Sequence, residues 1–237
     1  MTTPRPILIA TRNAGKVREI IAALAADDPF WNGRVEWRSL DDVKLRIADP
    51  EETEPTFAGN AALKARYWSN HTGLWTLADD SGLEVDALGG APGVLSARYS
   101  QLPSPWTGEG PGDGASKSAQ SPPVDRADRR PIDAANNRKL VAAVAGIPAE
   151  QRTARFRCAL AVADGDRIVA TAEGAVEGRI IDHPRGDGGF GYDPHFVVTA
   201  LNHTMAEIPL ADKNRISHRG QALRRLRLPL EAAIAAS

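Results

Sequence analysis

From Arg5 the chain reads RPILIAT, a short Ile/Leu run of the kind that forms a strand buried on both faces. Polarity returns at TRNAGK, and KVREIIAALAAD then places Val17, Ile20, Ile21 and Leu24 at helical spacing. A strand, a tight polar turn and a helix in that order open many α/β domains. A weaker strand is predicted at VEWRSL. The acidic loop ADPEETEPT then leads into FAGNAALKARYWSNHTG, a helix with Thr56 as expected N-cap and Gly73 as expected C-cap. LWTLADD is the next predicted strand, with Asp79 and Asp80 at its carboxyl end.

Residues 101–131 break the pattern. They hold ten Pro or Gly in 31 residues and almost no apolar periodicity, which predicts a flexible insertion. Its alternating glycines follow no strand and open no helix, so they do not read as a nucleotide fingerprint. Helix resumes at IDAANNRKLVAAVAGI. ARFRCALAVADGDRIVATAEGAVEGRI reads as a hairpin turning at Asp164-Gly165-Asp166. The turn-rich DHPRGDGGFGYDP precedes a strand at HFVV. The segment ADKNRISHRGQALRRLRLPL is predicted helical from Ala211 to about Leu226, ending in the Pro229 region.

A length of 237 residues fits one large domain or two lobes around a shared cleft, with 1–237 taken as a single unit. A net charge of -1 gives no general attraction for nucleic acid or anionic membrane. Cys158 is the one cysteine, which rules out an intrachain disulfide and makes a reducing, cytoplasmic setting the expectation. Mid-strand, it reads as a small buried hydrophobe. The apolar run near the N-terminus is too short for a secretory signal, and no run reaches membrane-spanning length.

Five stretches carry candidate chemistry. TRNAGK, Thr11 to Lys16, lies between a strand and a helix start, where backbone N–H groups favour an anion; an ordinary turn capped by Asn13 is the alternative. It lacks the first glycine and final hydroxyl of a Walker A loop. Asp79 and Asp80 repel one another unless a cation intervenes, and a hard divalent ion with phosphate oxygens is the usual resolution; a turn cap is the alternative. Glu51, Glu52 and Lys64 read either as ligands or as solvated charge. GGFGYDP offers the flat faces of Phe190 and Tyr192 among glycines, for base stacking or for core packing. KNRISHRGQAL concentrates Lys213, Arg215, His218 and Arg219, as ligand donors or as a basic helix face. His71, His183, His195 and His203 show no metal-ligand spacing.

In order, ATRNAGK, FAGNAALKA, ADDSGLEVDALGGAPGVLSARYS, FGYDP and ISHRGQAL resemble the inosine triphosphate pyrophosphatase family, also called Ham1-like or RdgB-like, over most of the chain. That resemblance implies an α/β fold: an elongated two-lobed mixed sheet with flanking helices and a central substrate cleft. It implies Mg²⁺-dependent hydrolysis of ITP, dITP and XTP to the monophosphate and pyrophosphate, by a homodimer. By motif position, Thr11, Arg12, Asn13, Ala14, Gly15 and Lys16 would hold the triphosphate. Glu52 and Asp80 would hold the metal, with Asp80 also the proton acceptor. Asp79 and Lys64 would line the catalytic end and Ser81 would touch substrate. Phe190, Gly191, Tyr192, Asp193, Lys213, His218 and Arg219 would form the base pocket, where Arg219 or His218 could bond a 6-keto oxygen.

Three features depart from the family pattern: Arg12 where many members have glycine, Gly59 in place of an acid, and the length of the insertion. The competing readings are a Maf-like pyrophosphatase with pyrimidine preference and a non-catalytic nucleotide- or RNA-binding module.

Overall fold

The computed structural model describes residues 4–25, 31, 33–43, 45, 47–103 and 129–237. The apolar run at the start forms β1 (Arg5–Ile9), followed by α1 (Ala14–Ala25) and β2 (Val35–Ser39). α2 (Phe57–Thr72) is closed at both ends as expected. The Thr56 side chain accepts the Gly59 amide, and Gly73 takes the left-handed conformation (φ 67°) that suits a helix stop. β3 (Trp75–Val85), α3 (Arg130–Val144), β4 (Thr153–Asp164), β5 (Arg167–Ile180), β6 (Phe196–Val198), β7 (His203–Thr204), α4 (Leu210–Ile216) and α5 (His218–Ala235) complete the set.

The strands form one mixed sheet in the order β2-β1-β3-β4-β5-β6-β7. β1 runs parallel to β2 and β3, and the remaining pairs are antiparallel. The β4–β5 hairpin turns where Asp164-Gly165-Asp166 placed it, with Gly165 at φ 59°.

β3 is longer than the sequence predicted, and the acids lie in its middle. Its parallel pairing to β1 stops at Leu77, but β4 continues to pair with it from Thr76 to Val85. Asp79 and Asp80 therefore sit just past the carboxyl end of β1 while their own strand runs on. The packing around β3 changes at the same place. Leu77 belongs to an apolar cluster with Ile20, Leu160 and Leu226, and Ala78 to one with Phe57, Ala61 and Trp68 on α2. Leu83 and Val85 belong to a third, with Leu140, Phe156 and Phe196. The polar tetrad Asp79-Asp80-Ser81-Gly82 falls between these cores.

Two further boundaries differ. The C-terminal helical stretch divides at Ser217, which is extended (ψ 158°) and caps α5 by accepting the Gly220 amide. α5 then passes through Pro229 without ending. Pro229 is exposed, while Leu226 and Leu230 on the same helix are buried in the first core and hold it in place. Of the expected insertion, Gln101 closes a 3₁₀ helix (Gly93–Gln101), and Arg130 and Pro131 open α3, where proline is tolerated. Residues 104–128 lie outside the described residues. No helix among the described residues is long and apolar enough to cross a membrane.

Candidate active site

Consecutive residues on a strand point to opposite faces, and this separates the paired acids. Asp79 meets Lys16 of α1 (2.9 Å) and Arg219 of α5 (3.1 Å). Asp80 meets Lys64 of α2 (3.1 Å). Each buried carboxylate thus has its own cation. Burial alone would raise the Asp79 carboxyl, but Lys16, Arg219 and Lys64 outweigh it and hold the group well below the usual carboxylate range. Asp80 goes the other way: burial, with Glu52 beside it, outweighs Lys64 and Lys16 and raises it.

Lys64 Nζ bridges Glu52 Oε1 (2.8 Å) and Asp80 Oδ1 (3.1 Å). Burial would lower the ammonium, yet Asp80, Glu52 and Asp79 push it above its ordinary value, so it stays charged. Glu52 is held low by Lys64, Lys16 and Arg98 against the effect of burial. The loop carrying Glu52 is fixed by Asn60 of α2, buried at 1% exposure, which bonds both the amide (3.0 Å) and the carbonyl (3.2 Å) of Glu54. Asp80 Oδ2 is buried and has no partner among the described residues.

At the start of α1, Asn13 Oδ1 accepts the amides of Gly15 (2.9 Å) and Lys16 (3.2 Å), and Thr11 Oγ1 accepts that of Asn13 (3.2 Å). The amides expected to greet an anion are therefore already capped, and Lys16 is the group of this loop that projects charge into the cleft. Arg12 turns away. It pairs with Asp49 (3.2 Å), donates to the Ile47 carbonyl (2.7 Å) and lies over Trp68 (5.4 Å). Ala14 is exposed, and Gly15 is buried beneath Phe190, whose Cδ1 would lie 2.4 Å from an added Cβ.

Phe190 also lies over the Lys213 ammonium (5.1 Å) and the Arg219 guanidinium (5.8 Å). Lys213 Nζ pairs with Asp193 Oδ2 and Glu19 Oε1, both at 2.6 Å. Asp193 Oδ2 in turn accepts the Phe190 amide (2.9 Å). Arg219, 1% exposed, uses all three nitrogens inside the protein: Nε and Nη2 on Asp79, Nη2 on Ser81 (2.8 Å), and Nη1 on Glu19. His218 stacks on Phe156 (5.0 Å), and burial, reinforced by Arg219 and Lys213, lowers it far enough to keep it neutral. Its Nδ1 is buried without a partner among the described residues.

One cleft of about 730 Å³, open mouth included, joins these groups. Asn13, Lys16, Glu52, Asp80 and Ser81 line it together with Phe190, Gly191, Tyr192, Asp193, Lys213, His218 and Arg219. Lys64 and Asp79 stand behind the wall, bonded to residues that form it. Thr11, Arg12, Ala14 and Gly15 do not line it. Sequence reasoning missed Glu19, a buried charge set among the apolar positions of α1, and missed three residues that line the cleft: Arg129, just before α3, and Asp133 and Asn136 on it. The signal for Asp133, Asn136 and Asn137 was their helical spacing on one face.

Residues 7–228 match the Ham1 family. The chain belongs to the Ham1 family. The match favours the Ham1-like over the Maf-like reading. A relative from Bacillus licheniformis, named dITP/XTP pyrophosphatase, is 42% identical, covering 97% of this chain and 100% of its own. Another of that name from Geobacillus kaustophilus is 45% identical, covering 94% and 92%. Among solved structures, a HAM1 protein from Coxiella burnetii superposes with a TM-score of 0.70 at 32% identity, covering 98% of this chain and 100% of that one. A nucleoside-triphosphatase / dITP/XTP pyrophosphatase from Mycobacterium abscessus gives 0.64 at 39% identity, covering 93% and 97%.

Among the described residues of this Ham1 chain, no three His, Cys, Asp or Glu side chains converge on a ready-made metal site. Gly59 supplies no further acid, and an added Cβ there would lie 2.7 Å from that of Glu54. The donors that fit a hard cation are Glu52 and Asp80, whose Oδ2 is buried and unpartnered. Such a pair suits an ion that takes one or two carboxylates and completes its shell with water and phosphate oxygens.

Proposed function

We propose that this protein hydrolyses non-standard purine nucleoside triphosphates of the dITP and XTP class to the monophosphate and pyrophosphate. A single feature carries the reading: one cleft gathers a lysine–carboxylate cluster, in which one Asp80 oxygen has no partner among the described residues, with the aromatic ring of Phe190 and a buried neutral histidine. Full-length likeness to proteins named for that activity supports it.

Lys16 faces the triphosphate, whose charge it offsets as the substrate settles. Asp80 orients the water that attacks the α-phosphorus and accepts its proton. Pyrophosphate leaves as its bond to that phosphorus breaks. Lys64 stays protonated and holds Glu52 and Asp80 in register, so it is no base. Glu52 and Asp80 would hold Mg²⁺, which supplies charge neutralisation and electrophilic activation of the phosphates when bound. Phe190 offers its face to the purine, and His218 Nδ1, in the tautomer that bears hydrogen there, donates to a 6-keto oxygen. Adenine presents an amino group at that position and would leave the histidine unpaired, an effect worth about 10⁴-fold where a site depends on the bond. A homodimer working in the cytoplasm is the setting that the family resemblance implies.

The test is a panel of ITP, dITP, XTP, GTP, ATP and dTTP incubated with purified protein and Mg²⁺, with pyrophosphate and orthophosphate measured separately. Pyrophosphate released from ITP and XTP well above ATP supports the reading. Orthophosphate as first product, or preference for dTTP, overturns it.

A further inference from the structure

Helix α3 grips one residue of the aromatic loop by both of its backbone groups. Asp133 Oδ2 accepts the Gly191 amide at 2.9 Å, and Asn137 Nδ2 donates to the Gly191 carbonyl at 2.9 Å. The two side chains stand four residues apart, one turn along the same helix face. Gly191 sits at φ 62°, a conformation glycine reaches without strain. From the opposite side, Asp193 holds the Phe190 amide. The peptide groups before and after the Phe190 Cα are therefore both tied, and its ring rests on Gly15.

α3 is itself rooted in the cleft wall. Asn136 Oδ1 accepts the Ser100 amide (2.7 Å) and its Nδ2 donates to the Ser96 carbonyl (3.3 Å). Lys139 donates to the Tyr99 carbonyl (2.8 Å). The clamp on Gly191 thus projects from an anchored helix, and both Asp133 and Gly191 face the cleft.

We propose that Asp133 and Asn137 are positioning residues that fix the plane of Phe190 against the purine and so set base affinity. This rests on the reading that Phe190 stacks on the base. The clamp bonds Gly191, not Lys16, Glu52, Lys64 or Asp80, so its loss weakens substrate binding more than the chemical step.

The test is steady-state hydrolysis of ITP by Asp133→Ala, Asp133→Asn, Asn137→Ala, Asn137→Asp and Phe190→Ala, and by the Phe190→Ala/Asn137→Ala double variant. Loss of one clamp bond in the alanine variants is expected to raise KM about threefold to tenfold with kcat little changed. Asp133→Asn retains an oxygen that accepts the Gly191 amide and should restore most of the loss. In the Phe190→Ala background, Asn137→Ala should add nothing further. Should the alanine variants not fold, Asn137→Asp loses the donor at constant size and gives the same readout. Unchanged KM in Asn137→Asp, a loss confined to kcat, or full additivity in the double variant overturns the clamp. A wild-type protein that releases no pyrophosphate from ITP overturns the functional reading instead.

Discussion

Arg219 grips a single oxygen of Asp79 with two of its nitrogens, at 3.2 and 3.1 Å, and both side chains are sealed from solvent. A buried pair of this kind is strongly destabilised when one partner is removed, because the other charge is left uncompensated. Asp79→Ala leaves Lys16 without its buried carboxylate and Arg219 with Glu19 alone, so it should cost about 3–5 kcal/mol of stability. Denaturant unfolding of the variant checks this. A midpoint equal to wild type would mean that the pair has little net worth.

Asp80 differs from its neighbour in having one oxygen without a partner among the described residues and a raised affinity for its proton. Asp80→Asn leaves Lys64 paired with Glu52 and removes the base together with one of the two carboxylates that would hold the metal. Pyrophosphate release should fall about 10²–10⁴-fold, the usual worth of a positioned base, while the unfolding midpoint stays near wild type. Parallel loss of stability and activity in this variant would make Asp80 a structural group like Asp79.

Much of the fold was legible because its signals are local. Thr56 and Gly73 bound α2 as capping chemistry dictates, and the Asp-Gly turn between β4 and β5 fell where expected. The misses have a common cause in distant partners. β3 outruns its apolar stretch because β4, about eighty residues later in sequence, pairs along it. Arg219 lines the cleft as expected of a ligand donor, but its bonds to Glu19, 200 residues away, and to Asp79 have no local signal. With four of its five N–H donors held by Asp79, Ser81 and Glu19, Arg219→Ala is expected to reduce turnover of ITP and ATP alike, by releasing Asp79 and Glu19 together. Comparing kcat/KM on the two nucleotides decides this, and a loss confined to ITP would return Arg219 to base reading.

Lys64 stands between the two carboxylates that would hold a metal, which couples metal affinity to its charge. Lys64→Met leaves Glu52 and Asp80 facing one another without their cation. The variant should be less stable than wild type in EDTA and should gain more stability from added Mg²⁺, since an ion that binds the folded state alone stabilises it in proportion to occupancy. Thermal unfolding across a Mg²⁺ series measures this without reference to activity. Equal Mg²⁺ responses in the two proteins would place the metal elsewhere.

His218 gives the fold an acid limb whose sign follows from its surroundings. An unperturbed histidine takes up its proton near pH 6.5, but burial together with Arg219, Lys213 and Lys16 opposes protonation of His218, against a weaker pull from Asp79. Below pH 6.5 the unfolded chain therefore binds a proton that the folded chain refuses. This contribution to stability is full above that value and is lost as pH falls toward the lowered folded value. His218→Asn cannot take up the proton and should shed less stability between neutral and mildly acidic pH than wild type does. Urea midpoints for both proteins above and below that histidine value check the difference. Identical slopes would show that His218 protonates in the folded protein as readily as in the unfolded chain, and that it is not the neutral donor the purine site requires.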